Sequence, residues 1–89
     1  MEKRHISQLI SNSIRNKREE KGHAQEKFAM MAGIDRSYYG MIERGNYGLT
    51  VYKLLQIALA LDEEPASLIP TLEELKQIAK DYPGLEEEL

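Results

Sequence analysis

The sequence predicts an all-α fold, and two observations carry that prediction. Apolar residues return every three or four positions, the period of a helix face, as in Ile6, Ile10 and Ile14. Glycine and proline residues separate these stretches at intervals too short for long helices, and the segments they flank lack the alternation typical of strands. The chain is therefore expected to form several short helices.

The first three helices follow from this punctuation. A first helix is predicted over residues 7–21 and a second over Gln25–Ala32. Gly33 then makes a tight turn. Asp35 is suited to accept the free amides at the start of a third helix, Arg36–Arg44.

A fourth helix is predicted to begin after Thr50, which can cap it. Its apolar residues have the spacing of one continuous stripe, so this helix is expected to be the most buried of all. The stripe consists of Val51, Leu54, Leu55, Ala58 and Leu61, and Ile57 broadens it.

Two further helices complete the prediction. Pro65 suits the first turn of a short fifth helix that ends near Ile69. Thr71 and Glu74 have the spacing of a capping box. They predict a last helix that stops before Pro83.

The composition is that of a single small soluble domain, with 89 residues, 42% apolar and 30% charged. A chain of this length buries only roughly 60% of its unfolded surface, which excludes a multidomain enzyme with a deep active site. Cysteine is absent, so disulfides, thiolate zinc sites and thiol nucleophiles are excluded. No apolar run approaches the roughly 20 residues of a membrane span, and we expect a cytoplasmic protein without membrane association.

Charge is distributed unevenly along the chain, although the net charge is only -3. Residues 1–62 hold ten Lys and Arg against seven Asp and Glu, whereas residues 63–89 hold two against eight. A polyanion such as nucleic acid would meet the positive part of the chain, so the acidic total does not exclude it as a partner.

Residues that could carry out catalysis are hard to find. The sequence contains no HExxH, GxxxxGK or GxSxG motif, and its two histidines, His5 and His23, stand alone. A lone histidine is usually a surface or core residue, so no metal site is expected. The sequence thus predicts neither an enzyme nor a cofactor.

The segment over residues 24–44 carries the functional signal. Two short helices joined by a turn at Gly33, with the small residue Ala29 four positions earlier, can cross closely at a steep angle. This is the geometry of a helix-turn-helix.

A family resemblance can be stated on specific residues. The matching strings are Ile14-Arg15-x-x-Arg18-Glu19-x-x-Gly22, Gln25-Glu26-x-x-Ala29, Arg36-Ser37-Tyr38 and Ile42-Glu43-Arg44-Gly45. Together they resemble the phage-repressor-like (XRE-type) DNA-binding family, over about residues 10–69 and without a gap. The resemblance implies a compact, five-helix lambda-repressor-like domain over residues 1–70, with a C-terminal helix and acidic tail over residues 71–89. The string over residues 36–45 is similar in particular to controller proteins of restriction-modification systems.

The predicted third helix would have one apolar face and one face that reads DNA. An ideal helix places five residues on the solvent arc, one of which is Arg44, and the resemblance implies that the other four contact bases. These candidates are Arg36, Ser37, Gly40 and Met41. Arg36 is expected to dominate specificity, because a guanidinium can donate two parallel hydrogen bonds to O6 and N7 of guanine.

The resemblance also implies contacts to the DNA backbone. Gln25 matches a position at the start of the second helix that binds phosphate, and the others lie at or beyond the far end of the reading helix or beside it. The expected phosphate contacts are Gln25, Tyr38, Arg44, Asn46 and Lys53. Arg18 and Glu43 match a paired Arg and Glu that join the first helix to the reading helix.

Several of these residues have a simpler interpretation. Tyr39 is expected in the core, whereas Tyr38 lies at the edge of the arc and could pack its ring while offering its hydroxyl to DNA. Glycine is unfavourable inside a helix. Gly40 therefore indicates either close approach to DNA or a tolerated small residue.

Four positions depart from the family pattern. Ala24 replaces the usual capping residue of the second helix, so that helix should begin less stably. His23 and Lys17 stand where apolar residues are usual, and Leu49 where proline is common. None of these positions lies on the expected reading face.

We therefore expect a sequence-specific transcriptional regulator that binds double-stranded DNA. The few base pairs of a single half-site are too short a sequence to be specific in a genome, so a homodimer on a palindromic operator is predicted. The residues expected in the dimer seam are Leu61, Leu68, Ile69, Leu72 and Leu75. The alternative is that these residues simply close the core.

Two other functions fit the same sequence. An autoregulating antitoxin could use this fold, with its acidic tail engaging a basic toxin. A protein-protein adaptor could also use it, and would show no salt-dependent DNA binding.

Overall fold

The structure, a computed structural model, describes residues 3–46 and 49–81, with the backbone alone for residues 3–5 and 81. Within these ranges the chain forms α-helices and one 3₁₀ helix, and no strand. They are α1 (Lys3–Glu20), α2 (Gln25–Ala32), α3 (Arg36–Arg44), α4 (Val51–Leu61), the 3₁₀ helix (Pro65–Leu68) and α5 (Leu72–Asp81). The predicted all-α class is confirmed.

The turn between α2 and α3 is built as the sequence predicts. Gly33 adopts a left-handed conformation with φ of 72°, and its amide donates to the carbonyl of Met30 at 3.1 Å. Ile34 follows and is buried at 4% exposure. The Asp35 side chain then accepts a hydrogen bond from the Tyr38 amide at 3.1 Å, which caps α3.

The core lies where α1, α2, α3 and α4 meet the 3₁₀ helix. Its large side chains are fully or almost fully buried, and they come from every one of these elements. They include Ile14, Phe28, Tyr39, Ile42, Ile57, Leu61 and Leu68. The prediction that Tyr39 packs in the core is confirmed, since its ring lies 5.4 Å from that of Phe28, centroid to centroid.

The prediction for α1 was four residues short at its start. The helix begins at Lys3 and ends at Glu20, whereas the pattern predicts residues 7–21. Residues 3–6 contain no glycine, proline or capping side chain that would delay the helix, so it extends beyond its apolar stripe.

The prediction that α4 is the most buried helix was wrong. Ile57, Ala58 and Leu61 face the core, but Val51 is 72% exposed and Leu55 48% exposed. The helix is apolar around most of its circumference, so spacing alone does not determine which side packs inward. An apolar arc of α4 therefore remains exposed, and it consists of Val51, Tyr52, Leu55 and Leu59.

From Leu61 onward the chain agrees with prediction in one respect and differs in another. The short fifth helix is present as a 3₁₀ helix, Pro65–Leu68, which begins at Pro65 and ends next to Ile69, as predicted. Leu61 and Leu68 have no exposed surface, because both close the core of the subunit. Their prediction as dimer-seam residues was therefore wrong.

The predicted capping box opens α5. Glu74 accepts a hydrogen bond from the Thr71 amide at 2.8 Å, and Thr71 accepts one from the Glu74 amide at 3.1 Å. Ile78 is buried on this helix, whereas Leu72 is 67% exposed. The stop before Pro83 and the acidic tail lie outside the described residues.

None of the helices in residues 3–46 and 49–81 is both long enough and apolar enough to cross a bilayer. In the same part of the chain, no three His, Cys, Asp or Glu side chains are grouped so that they could hold a metal ion.

Candidate nucleic-acid interface

Arg18 of α1 and Glu43 of α3 form the ion pair that the resemblance implies. Arg18 Nε donates to Glu43 Oε2 at 2.6 Å, and Arg18 Nη2 donates to Oε1 at 3.0 Å. The pair is bidentate and almost fully buried, with Arg18 8% exposed and Glu43 2% exposed. It therefore fixes the third helix against the first.

Two more donors complete the surroundings of the Glu43 carboxylate. Tyr39 Oη donates to Oε2, and Gln25 Nε2 donates to Oε1 at 3.1 Å. Burial alone would raise the pKa of Glu43, but the hydrogen bonds from Arg18, Tyr39 and Gln25 lower it below the usual value. Burial likewise raises the pKa of the Tyr39 phenol. Glu43 is thus held as a carboxylate with each oxygen accepting two hydrogen bonds.

The first helix, α1, contacts the helix-turn-helix at two further points. Ser11 Oγ donates to the carbonyl of Ile42 at 2.5 Å, which joins α1 directly to the backbone of α3. Arg18 Nη1 donates to the carbonyl of His23 at 2.7 Å, just before α2 begins. Both helices of the helix-turn-helix are therefore anchored to α1.

The opposite face of α3 is open to solvent at its N-terminal end. The side chain of Arg36 is 72% exposed, and Ser37 is exposed beside it. Glu26 of α2 lies across the turn, with its Oε2 3.5 Å from Arg36 Nη1, and is itself 64% exposed. An exposed pair of this kind contributes little to stability, so Arg36 is free to exchange this partner for another.

The middle of α3 differs from the expected picture. Gly40 is buried, because the Arg44 guanidinium lies over it: a Cβ at Gly40 would be 3.1 Å from Arg44 Nη1. Arg44 therefore does not extend beyond the C-terminal end of α3, as the sequence suggested, but folds back along it. Met41, on the same arc, is half-buried.

The remaining candidate phosphate contacts lie at the two sides of this arc. The Lys53 ammonium is 5.5 Å from the centroid of the Tyr38 ring, which brings the first turn of α4 next to α3. Gln25 begins α2 and Asn46 follows α3, and both are exposed. Gln25 and Lys53 come from neighbouring elements, and they flank α3.

The structure accounts for the four departures from the family pattern. Ala24 makes no side-chain cap for α2, as predicted. The His23 ring stacks on Phe28 with centroids 6.0 Å apart, and Leu49 packs against the core, so both serve as apolar residues. Lys17 reaches out to Glu63 at 3.6 Å.

Sequence reasoning missed three features of this surface. Tyr39 precedes Glu43 by four residues, so helical spacing could have revealed its hydrogen bond. The same spacing relates Gly40 and Arg44 and could have revealed their contact. The approach of Glu26 to Arg36 depends on the angle between two helices and has no signal in the sequence.

Comparison with known proteins agrees with this geometry. A family model described as helix-turn-helix (HTH_3) matches residues 14–68. The chain is 28% identical over 64 residues to the control protein C.SmaI of Serratia marcescens, covering 72% of this chain and 76% of that protein.

Two solved structures share the fold. The restriction-modification controller protein C.AhdI of Aeromonas hydrophila superposes with a TM-score of 0.69 at 38% identity, covering 71% of this chain and 96% of that chain. A hypothetical transcription factor, NHTF, from Neisseria superposes with a TM-score of 0.71 at 25% identity, covering 82% and 84%. The chain therefore belongs to the helix-turn-helix family represented by these proteins.

Proposed function

We propose that this protein is a transcriptional regulator that binds a palindromic operator in duplex DNA as a homodimer. The observation that carries the proposal is the division of α3 into two faces. One face is buried and locked to α1 through Glu43, and the other presents Arg36 and Ser37 to solvent. A rigid helix with an exposed polar arc suits the major groove of DNA.

The proposed base contacts come from the exposed arc of α3. Arg36 is assigned the reading of a guanine, since a guanidinium can donate to O6 and N7 of that base together. Ser37 can form a single hydrogen bond, and Met41 can make apolar contact with a thymine methyl group. Gly40 lies at the centre of the arc, where the Arg44 guanidinium covers it, so it makes no base contact of its own in this proposal.

The proposed phosphate contacts flank this arc. Gln25 Nε2 uses one hydrogen to bind Glu43 and retains a second for a phosphate oxygen. Lys53 provides a donor beside the first turn of α3, where it lies against Tyr38, whose hydroxyl is also available. Asn46 provides a donor just after the helix ends. These contacts would fix the register of α3 on the duplex.

The proposed dimer seam uses apolar side chains that the subunit leaves exposed or, for Leu75, half-buried. In place of Leu61 and Leu68, it comprises the exposed arc of α4 together with Ile69, Leu72 and Leu75. Leu59 is 83% exposed and Leu72 67% exposed, and a partner subunit would remove this apolar surface from water. Two-fold symmetry would place the half-site centres about 34 Å apart, or a multiple of that.

The likeness to C.SmaI and C.AhdI supports a more specific role, as a controller of a restriction-modification system. In this proposal, residues 1–70 are the DNA-binding domain, α5 is an addition to it, and the site of action is the cytoplasm.

Selection of bound sequences from a pool of random duplexes tests the proposal. The expected result is a palindrome with a defined half-site spacing, and binding that weakens steeply as salt increases. Recovery of no preferred sequence would contradict the proposed function and favour the protein-protein adaptor.

A further inference from the structure

The side chain of Arg44 occupies the space that a side chain at position 40 would fill. Built on the backbone of Gly40, a Cβ would lie 3.1 Å from Arg44 Nη1 and 3.9 Å from its Cζ. Residues four apart share one face of a helix, and their side chains lean toward its N-terminus. Glycine at position 40 therefore leaves the room in which the guanidinium lies.

This position brings the guanidinium to the middle of the reading arc. Around the helix axis, Gly40 lies between Arg36 and Ser37, the two exposed residues of the first turn. Along the axis, it lies one turn, about 5–6 Å, nearer the N-terminus than Arg44 itself. The N-terminal part of a reading helix is the part that meets base edges. The Arg44 guanidinium is thus placed with the candidate base contacts.

Arg44 also differs from the other arginines of this region in its partners. Arg18 is paired with Glu43, and Arg36 lies within 3.5 Å of Glu26. Among the residues that the structure describes, no hydrogen bond or ion pair engages the Arg44 guanidinium. Its donors are available to a ligand that approaches the face of α3.

From this geometry we propose that Arg44 is a second base-reading residue, which recognises a guanine. The absence of a side chain at Gly40 leaves the space, or slot, that positions its guanidinium. The inference rests on the proposed function, and it replaces a phosphate contact by Arg44 with a base contact. The planar guanidinium can donate in parallel to O6 and N7 of guanine, an acceptor pair that no other base presents in the major groove. Arg44 then determines specificity at a base pair other than the one read by Arg36.

The test compares sequence preferences selected from random duplexes for the wild-type protein, Arg44→Ala and Lys53→Ala. Arg44→Ala should lose preference, by roughly 5- to 150-fold, at one symmetric pair of positions distinct from the pair lost in Arg36→Ala. The dependence of its affinity on salt should stay nearly unchanged. Lys53→Ala is the matched control for a phosphate contact and should weaken binding to all sequences equally, with a shallower salt dependence.

An Arg44→Ala protein that behaves like Lys53→Ala would overturn the assignment of Arg44 while leaving the proposed function intact. A wild-type protein that selects no sequence would overturn the proposed function and this inference with it. The two failures are therefore distinguishable.

Gly40→Ala tests the slot separately. The added methyl group should displace the guanidinium and reduce preference at the same positions as Arg44→Ala. In the Arg44→Ala background it should have no further effect, and the thermal midpoint should not fall, since alanine favours a helix. Equal weakening by Gly40→Ala in both backgrounds would mean that the glycine serves close approach to DNA, and would overturn its role as a slot.

Discussion

Arg18 Nε and Glu43 Oε2 lie 2.6 Å apart inside the protein, although the two residues are 25 positions apart in the chain. The contact joins the end of α1 to the last turn of α3. Because Gln25 binds the same carboxylate, one buried anion relates three helices to one another. The Glu43 side chain therefore contributes directly to the angle at which α3 is presented.

Replacement of Glu43 should destabilise the protein strongly. Glu43→Gln keeps the shape of the side chain but leaves the Arg18 guanidinium buried without its anion. We expect the free energy of unfolding to fall by up to about 3–5 kcal/mol. Urea denaturation measures this, and a midpoint equal to that of the wild type would contradict the role of the pair.

The same carboxylate predicts a dependence of stability on pH. The pKa of Glu43 is lower in the folded protein than in the unfolded chain, where it is about 4.3. Its contribution to stability is therefore fully present above that value and is lost as the pH falls through the folded pKa. The difference in unfolding free energy between wild type and Glu43→Gln should be constant near neutral pH and should shrink below about pH 4. A difference that grows toward acid pH would contradict the lowered pKa.

Arg36→Ala should relax sequence preference at one symmetric pair of positions in the operator. A guanidinium that reads guanine discriminates by roughly 1–3 kcal/mol, and this discrimination disappears with it. Titrations of operator and random duplex at several salt concentrations measure the ratio of affinities and the salt dependence. If the ratio is unaltered, Arg36 is a phosphate anchor and not a base reader.

Charged substitutions should separate the subunits if the exposed apolar arc of α4 and the apolar residues of α5 form the seam. Leu59→Glu and Leu72→Glu place a carboxylate on surface that is already exposed in the monomer, so folding should be preserved. Sedimentation should show each variant shifted toward monomer, while Met30→Glu, on the exposed side of α2, serves as the control. A wild-type protein that remains monomeric at high micromolar concentration would disprove the seam altogether.

A serine at position 24 should stabilise the protein. Ala24 precedes α2 with extended backbone angles, φ -68° and ψ 150°, but its side chain provides no hydrogen bond. Ala24→Ser supplies the missing acceptor, and we expect about 0.5–2 kcal/mol of added stability. Thermal denaturation should show a higher midpoint than in the wild type, and an unchanged midpoint would contradict the missing cap.

Local signals made the helix boundaries predictable. Asp35, Thr50 and the pair Thr71 and Glu74 all form the capping hydrogen bonds expected of them, because these bonds depend only on residues three apart. The start of α1 was not predictable in this way, since nothing in residues 3–6 marks it. Capping side chains therefore locate helix ends better than apolar stripes do.

Features that depend on tertiary packing were less predictable. The stripe on α4 identified the helix but not its buried side, because Val51 and Leu55 are as apolar as the residues that pack inward. Leu61 and Leu68 were assigned to a seam since the size of the core could not be judged from sequence. In the candidate site, resemblance identified Arg18 and Glu43, whereas the direction of the Arg44 side chain required the structure.

The proximity of Glu26 to Arg36 has a consequence for recognition of the operator. With Arg36 as the reader of guanine, the carboxylate acts as a built-in competitor, which the correct base must displace. At a base edge with one acceptor or none, the guanidinium forms fewer hydrogen bonds to offset the loss of its contact with Glu26. The carboxylate that it leaves also repels nearby phosphates. Such an exposed pair is worth at most about 1 kcal/mol, and this cost falls on the correct site, because at a mismatched site Arg36 can stay paired with Glu26. The acidic neighbour across the turn therefore lowers the affinity for the operator and does not sharpen the choice of base.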